Sequence, residues 1–270
     1  MEGADVITQA ELASMLHTQW IGTRLVYFDE TDSTNIRARK LAEEGAPHGT
    51  LVAADRQTAG KGRRGKSWVS PAGTGIWMSM VLRPSMSPMS ASMLTLIAGL
   101  AVVRGVKEST GFEAMIKWPN DAVLNGKKIC GILTEMSTEV ECIRYVIPGI
   151  GINVNMDGFP EEIKATATSL KLEAGRSIKR SLVIAAVADN FEYYYGIFMK
   201  TCDMSGLRDD YNKSLVNLGR EVLVLDPRGQ YKGKALGIDG EGSLLVRRED
   251  GNVSAVISGE VSVRGIYGYV

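Results

Sequence analysis

The sequence predicts an α+β fold in two parts, and three observations carry that prediction. Helical and strand patterns are interspersed over roughly the first 218 residues. A run of short strands with an Asn125-Gly126 bend, a hairpin signal, lies between Ala114 and Asn155. From Gly219 the composition shifts to five strand-like runs with turn signals about every ten residues. A chain of 270 residues, at roughly 150 per domain, has room for both parts. We set the boundary at Leu218, giving units of 1–218 and 219–270.

The elements follow in order. Thr8-Gln9-Ala10-Glu11 reads as a capping box opening a first helix. RLVYFDE (24–30) is strand-like, and STNIRARKLAEEG is a helix with Ile36, Ala38, Leu41 and Ala42 on one stripe, closed by Gly45. TLVAADRQ and GIWMSMVLRP are strands on either side of a glycine- and cation-rich loop. Ser87-Pro88 starts a long, apolar helix reaching about Lys107. AMIKWPN, DAVLNGKKICGILTEMS and CIRYVIPGIGINVN supply the short strands. Helices at about 181–200 and 207–217 complete the larger unit. EVLVLD, QYKGKALGID, GSLLVRRED, NVSAVISG and EVSVRGIY, punctuated by Pro227-Arg228-Gly229, Asp239-Gly240 and Asp250-Gly251, read as a small closed barrel.

Composition narrows the function. With 44% hydrophobic and 23% charged residues, the chain builds a core and is not disordered. Lys plus Arg (31) balances Asp plus Glu (31), which argues against a general nucleic-acid coat but leaves room for a local cationic site. Cys130, Cys142 and Cys202 form no CxxC pair and His17 and His48 are the only histidines, so a structural zinc site is not expected. Reduced thiols, an N-terminus without a signal-peptide pattern and an apolar stretch (93–103) about half the ~20 residues of a membrane span predict a cytoplasmic protein with no membrane partner.

Gly60-Lys61-Gly62-Arg63-Arg64-Gly65-Lys66-Ser67 satisfies the GxxxxGKS pattern of a phosphate-binding loop. Such a loop must open a helix, and here Trp68 through Gly75 lead into a strand pattern, so we reject that reading. Lys61, Arg63, Arg64 and Lys66 still crowd one glycine-rich segment of a neutral protein. A solvated surface loop is the bland account. Three glycines that let a backbone approach a ligand, and Trp68 as a flat stacking face, shift the reading to a small polyanion bearing a ring. A nucleotide has both. In Lys117-Trp118-Pro119-Asn120-Asp121, Pro119 disfavours helix at Trp118 and places Asn120 and Asp121 at a strand end. For these two a plain turn is as good an account as function, and for Lys128 so is an exposed hairpin lysine. Cys130 reads as core.

These residues together resemble the biotin–protein ligases. The resemblance rests on Thr31-Asp32-Ser33-Thr34-Asn35, the Gln57 to Trp68 segment with its GxGRRG core, Lys117 to Asp121, Lys128-Ile129-Cys130-Gly131-Ile132-Leu133-x-Glu135 and Gly149-x-Gly151-Ile152-Asn153, in the family's order across about 120 residues. It implies a mixed sheet with helices on one face, of the class II synthetase type, and a C-terminal SH3-like barrel. It implies ATP and biotin as substrates, Mg²⁺, and a biotin carboxyl carrier domain as protein partner. By resemblance, Ser33, Thr34, Asn35 and Gln57 read the biotin ring with the backbone near Gly60 and Lys61, and Gly131, Gly149 and Gly151 line its pocket. Arg63, Arg64, Lys66, Trp68, Asn120, Lys128 and Asn153 surround the nucleotide, Trp68 stacking on adenine, with Asp121 toward the metal. Lys128 and Arg63 are the implied catalytic cations.

The chain departs from the family pattern in having Lys61 and Lys66 where many members have arginine, which trades bidentate forks for point charges. It also shows no N-terminal DNA-binding domain, which implies the monofunctional type. A homodimer through a sheet edge, known in the family, stays open beside a monomer. Lipoate–protein ligases are the sister reading. A biotin- or nucleotide-sensing regulator is the non-enzymatic one, and nucleic-acid binding by the barrel rests on fold analogy alone.

Overall fold

The structure, a computed structural model, describes residues 5–140, 142–226, 229–258, 262–265 and 269–270. Thr8 caps the first helix, α1 (Gln9–Met15), its hydroxyl accepting from the Glu11 amide at 3.1 Å. The reciprocal half of the box is not made, because the Glu11 carboxylate pairs with Lys179 at 2.9 Å instead. β1 (Leu25–Thr31) and β2 (Thr50–Gln57) run parallel, so the chain must cross over between them, and α2 (Thr34–Glu43) is that crossover. Gly45 follows it at φ +88°, as a helix stop requires.

β3 (Gly75–Val81), β4 (Met115–Lys117), β5 (Asp121–Leu124), β6 (Lys127–Glu139) and β7 (Cys142–Asn153) add antiparallel neighbours. The result is a seven-stranded mixed sheet ordered β1-β2-β3-β7-β6-β5-β4. Asn125 and Gly126 make the β5–β6 bend with positive φ at both positions (50° and 78°), as a tight hairpin turn requires.

Side chains alternate across this sheet, and the alternation shows which helices cover each face. Leu51, Ala53, Met78, Met80, Ile150 and Ile152 belong to the main core, together with residues of α4 (Leu94–Thr110) and α7 (Arg180–Phe198). Val52, Val81, Tyr145 and Ile147 form a second core with Ala38 and Ala42 of α2. Helices therefore cover both faces, not one as the resemblance implied, because strand residues of opposite parity are apolar on β2, β3 and β7.

The long apolar helix is in two pieces, α3 (Pro88–Ala91) and α4, parted at Ser92 and Met93. Segment 88–110 is long and apolar enough to cross a membrane by length and composition, but 72% of its most apolar window is buried inside the fold. α7 begins at a wholly buried Arg180, whose guanidinium meets Asp5 and Asp55, each at 2.7 Å. A buried charge requires such partners, and these join the N-terminal segment to β2. α5 (Glu161–Lys164) and α6 (Leu170–Ala174) are too short to show an apolar stripe in the sequence. α8 (Arg208–Ser214) closes the larger unit.

β8 (Glu221–Asp226), β9 (Gly229–Ile238), β10 (Leu244–Arg248), β11 (Val253–Val256) and β12 (Ser262–Gly265) form a second, antiparallel sheet ordered β11-β10-β9-β8-β12. The Pro227-Arg228 part of the expected turn lies outside the described residues. Among the described residues β11 and β12 are the two edges and do not pair, so a five-stranded sheet is seen where the sequence suggests a closed barrel. It docks on the larger unit through Trp118 Nε1, which donates to the Gly242 carbonyl at 3.0 Å, and through the Ile238 amide, which donates to Asn212 Oδ1 at 2.8 Å.

Candidate active site

Two cavities meet at the middle of the large sheet. The inner one, about 470 Å³ including the space open to solvent at its mouth, is walled by Ser33, Thr34, Gln57, Gly131, Gly149 and Gly151, with Lys61 and Asn35 also at its wall. The outer one, about 2180 Å³ and open to solvent, is lined by Arg64, Lys66, Lys117, Asp121, Asn153 and Tyr269 among others. Gly62, Arg63, Trp68, Asn120 and Lys128 line both, so they stand at the junction.

The inner wall is a hydrogen-bonded lattice at the start of α2. The Thr34 amide and hydroxyl donate to Gln57 Oε1 at 2.8 and 3.2 Å, and Gln57 Nε2 donates to Ser70 Oγ at 2.9 Å. Asn35 Nδ2 donates to the Leu133 carbonyl (3.1 Å) and to Glu135 (2.8 Å), while Ser79 Oγ donates to Asn35 Oδ1 at 2.7 Å. Asn35 and Gln57 thus use their amides to tie α2, β2, β3 and β6 together. The Ser33 hydroxyl does not cap α2, and the residue lies at the cavity wall.

The three glycines make room for specific neighbours. A Cβ on Gly149 would lie 1.8 Å from Asn35 Oδ1, so the amide occupies the space a side chain would need. Gly131 and Gly151 face each other across β6 and β7. A Cβ on Gly151 would lie 2.7 Å from Trp68 Nε1, and one on Gly131 2.9 Å from Trp68 Cζ3. The indole therefore lies along this glycine pair. Its Nε1 is buried without a partner among the described residues, a donor left over beside the cavity.

The cationic loop folds back on itself. The Gly62 amide donates to the Lys66 carbonyl (2.7 Å) and the Trp68 amide to the Gly60 carbonyl (2.9 Å), closing a small hairpin. Arg64 (φ 56°) and Gly65 (φ 72°) turn it through the left-handed region. β3, not a helix, follows the loop. Lys61, Arg64 and Lys66 are exposed, whereas Arg63 is half-buried and donates from Nη1 to Asn120 Oδ1 at 2.7 Å. Burial pushes the Arg63 pKa below its usual value.

Lys128 is aimed by a bulge. Ala122 pairs with Cys130 and Val123 with Lys128, which leaves Ile129 as the extra residue on β6. The Lys128 amide donates to the Thr166 carbonyl (2.8 Å) and its carbonyl accepts from the Thr168 amide (3.0 Å), so the backbone is held from a second side. Its Nζ then meets Asp121 Oδ1 at 2.6 Å and stands 5.2 Å from the Trp68 ring centre. Asn153, buried, donates to the Thr168 carbonyl at 3.2 Å. Cys130 is wholly buried, and burial pushes its thiol pKa up, as suits a core residue.

Asp121 does not fit the metal-ligand role implied for it. Oδ1 accepts from Lys128 and from Asn120 Nδ2 (3.1 Å), and Oδ2 accepts from the Tyr269 hydroxyl. Among the described residues no three His, Cys, Asp or Glu side chains gather around one point. Mg²⁺ held mainly by water and substrate phosphates needs no such cluster, so an ion here would arrive with the nucleotide and not on a preformed protein cage.

Sequence reasoning missed three site residues. Trp77 lies at the inner wall, 1% exposed, its Nε1 donating to the Asp55 carbonyl at 3.1 Å, and in the sequence it reads only as a strand aromatic. Lys117 belongs to a motif already singled out, yet received no role. It is 7% exposed, and burial first, with Lys128, Arg264 and Arg63 adding to it against Asp121, lowers its pKa to about 8. Tyr269 carried no sequence signal at all.

A glycine-walled inner cavity opening onto a cationic outer one, on a mixed sheet, has the form of a site for a small molecule beside a polyanion. The comparisons agree in kind. Residues 27–153 match the biotin/lipoate A/B protein ligase family, and residues 218–264 match the biotin protein ligase C terminal domain. The chain is 41% identical over 259 residues to the bifunctional ligase/repressor BirA of Bacillus subtilis, covering 95% of this chain and 79% of that protein. It is 34% identical over 224 residues to the biotin--[acetyl-CoA-carboxylase] ligase of Paracoccus denitrificans, covering 80% and 91% respectively. Among solved structures it is similar to the Aquifex aeolicus biotin protein ligase in complex with biotin and ATP, with a TM-score of 0.79, 34% identity, and 90% and 99% coverage. The chain belongs to the biotin protein ligase family.

Proposed function

We propose that this protein activates biotin with ATP as biotinyl-5′-AMP and transfers the biotinyl group to a lysine of a biotin carboxyl carrier domain. One observation carries the reading: Arg63, Asn120, Lys128 and Trp68 stand where the inner cavity opens into the cationic one. A carboxylate at the mouth of the first would face phosphates in the second. The match to the biotin-type C-terminal domain favours biotin over lipoate.

In this reading Ser33 reads the biotin ring on the lattice of Thr34, Asn35 and Gln57, with the backbone near Gly60 and Lys61. Gly131, Gly149 and Gly151 keep the pocket wall flat. Trp68, Asn153, Arg64 and Lys66 bound the nucleotide. The biotin carboxylate oxygen attacks the α-phosphorus and pyrophosphate leaves. The acceptor amine then attacks the acyl carbon, AMP leaves and the amine loses a proton.

Two anions must approach in the first step. At ~4 Å and an effective dielectric of ~20 they repel by roughly 4 kcal/mol, about a thousandfold in rate. Lys128 and Arg63, fixed before the charge develops, offset that repulsion.

We further divide the chain at Leu218, a reading supported by the start of the second sheet at Glu221 and of the C-terminal family match at residue 218. Both family matches, at residues 27–153 and 218–264, are to ligase domains, so the ligase half of the bifunctional relatives' names is the one we assign. The cysteines Cys130, Cys142 and Cys202 are free, which suits a reducing cytoplasm.

The test is pyrophosphate exchange into ATP with biotin, with lipoate and with no acid. Exchange with biotin alone supports the reading. Exchange with lipoate reassigns the chain to the sister ligases, and folded protein that exchanges with neither is a sensor and not a ligase.

A further inference from the structure

Tyr269 reaches the site from beyond the last strand of the small sheet. Its hydroxyl donates to Asp121 Oδ2, the oxygen that Lys128 does not use. Its ring centre lies 4.2 Å from Lys117 Nζ, on the wall of the outer cavity. One residue thus touches both halves of the charge set: the anion that orients Lys128, and the buried Lys117. Burial and the neighbouring Asp121 push the phenol pKa up, so it remains a neutral donor.

We propose that Tyr269 is a positioning residue for adenylation, fixing the Asp121–Lys128 pair through its hydroxyl and keeping Lys117 out of water with its ring. This rests on the ligase reading for its effect on rate, but not for its effect on Lys117. A carboxylate held only through Oδ1, by Lys128 and Asn120, can still pivot, whereas a donor on Oδ2 fixes the plane and hence the position of Nζ. The aromatic face contributes cation–π attraction to Lys117 while excluding solvent from it. The small sheet would then contribute to the first chemical step and not to carrier docking alone. The other charged groups facing Lys117 are Asp121, Lys128, Arg264 and Arg63.

The two functions separate by substitution. Tyr269→Phe removes the hydroxyl and keeps the ring, so kcat for biotin-dependent exchange should fall about tenfold, with the KM for biotin within about twofold of wild type. The Lys117 titration, followed by NMR of side-chain-labelled lysine and assigned with Lys117→Met, should stay where wild type has it. Tyr269→Ala removes the ring as well and should move that titration up by about one unit toward an ordinary lysine, because water returns to Nζ. Wild-type kcat in Tyr269→Phe overturns the positioning role, and an unmoved Lys117 in folded Tyr269→Ala overturns the shielding role. If Tyr269→Ala does not fold, Tyr269→Leu takes its place in the titration. Wild-type protein that shows no exchange with biotin would defeat the ligase reading and with it the rate effect, while the titration would still decide the contact to Lys117.

Discussion

Lys128 Nζ stands 2.6 Å from Asp121 Oδ1, and a β-bulge, not the β5–β6 turn, decides that it does. The bend at Asn125-Gly126 only returns the chain. The extra residue, Ile129, rotates Lys128 so that its side chain meets the carboxylate at the start of β5. Lys128 and Asp121 side chains are 24% and 12% exposed, so the pair is enclosed enough to be preorganised yet open to the outer cavity.

Lys128→Ala should therefore lower adenylate formation by about a hundredfold or more, the scale of losing one preorganised donor. It also leaves Asp121 as an unbalanced anion facing incoming phosphates. Single-turnover quench with labelled ATP reads the rate directly, and an unchanged rate would remove Lys128 from the chemistry.

Arg63 connects the loop to the opposite wall through Asn120 Oδ1 at 2.7 Å. Arg63→Gly breaks that tie in a segment already rich in glycine, and the loop loses its closing contact over the junction. Escape of biotinyl-5′-AMP should accelerate by about tenfold, since a charge-assisted hydrogen bond contributes ~1.5–3 kcal/mol. The measurement is the adenylate off-rate by competition. Equal rates in variant and wild type would contradict a closing role.

Gly149 carries a purely steric prediction. An added Cβ would sit 1.8 Å from Asn35 Oδ1, in a lattice where that oxygen already accepts from Ser79. Gly149→Ala must displace Asn35 and with it the bonds to Leu133 and Glu135, at about 2–3 kcal/mol. Thermal unfolding should come several degrees earlier, and the KM for biotin should rise with it. An unshifted melting temperature would mean that Asn35 moves away without cost.

The sequence made these motifs legible because each departs from what a core or a solvated face would need. Clustered cations in a neutral protein, glycines on a strand and an Asn-Gly bend are signals in one dimension. The order of the large sheet was not legible: β3 pairs with β7 across more than sixty intervening residues, and nothing local announces it. Period-two apolar alternation marks strands, but it does not say that α2 covers the face opposite α4 and α7. Asn35 and Gln57 lay in the right motifs, yet their amides turn out to be bonded to the scaffold. Tyr269 was invisible because its importance comes only from the three-dimensional approach to Asp121, 148 positions away in the chain.

Lys117 gives the site a pH dependence of definite sign. Burial lowers its pKa to about 8, with Asp121 working to raise it and Lys128, Arg264 and Arg63 to lower it further. The protonated form is the one that attracts phosphates, so it is the form an approaching ATP selects. Below about pH 7 the lysine is charged in nearly every molecule, and as pH rises through about 8 that fraction falls. kcat/KM for ATP, which reports the free enzyme, should therefore decline through about pH 8. Bound triphosphate stabilises the ammonium, so the corresponding limb in kcat should lie at higher pH. Lys117→Arg keeps its charge across this range and should flatten the limb in kcat/KM even where its absolute rate is lower. A limb that persists unchanged in Lys117→Arg would assign it to another group.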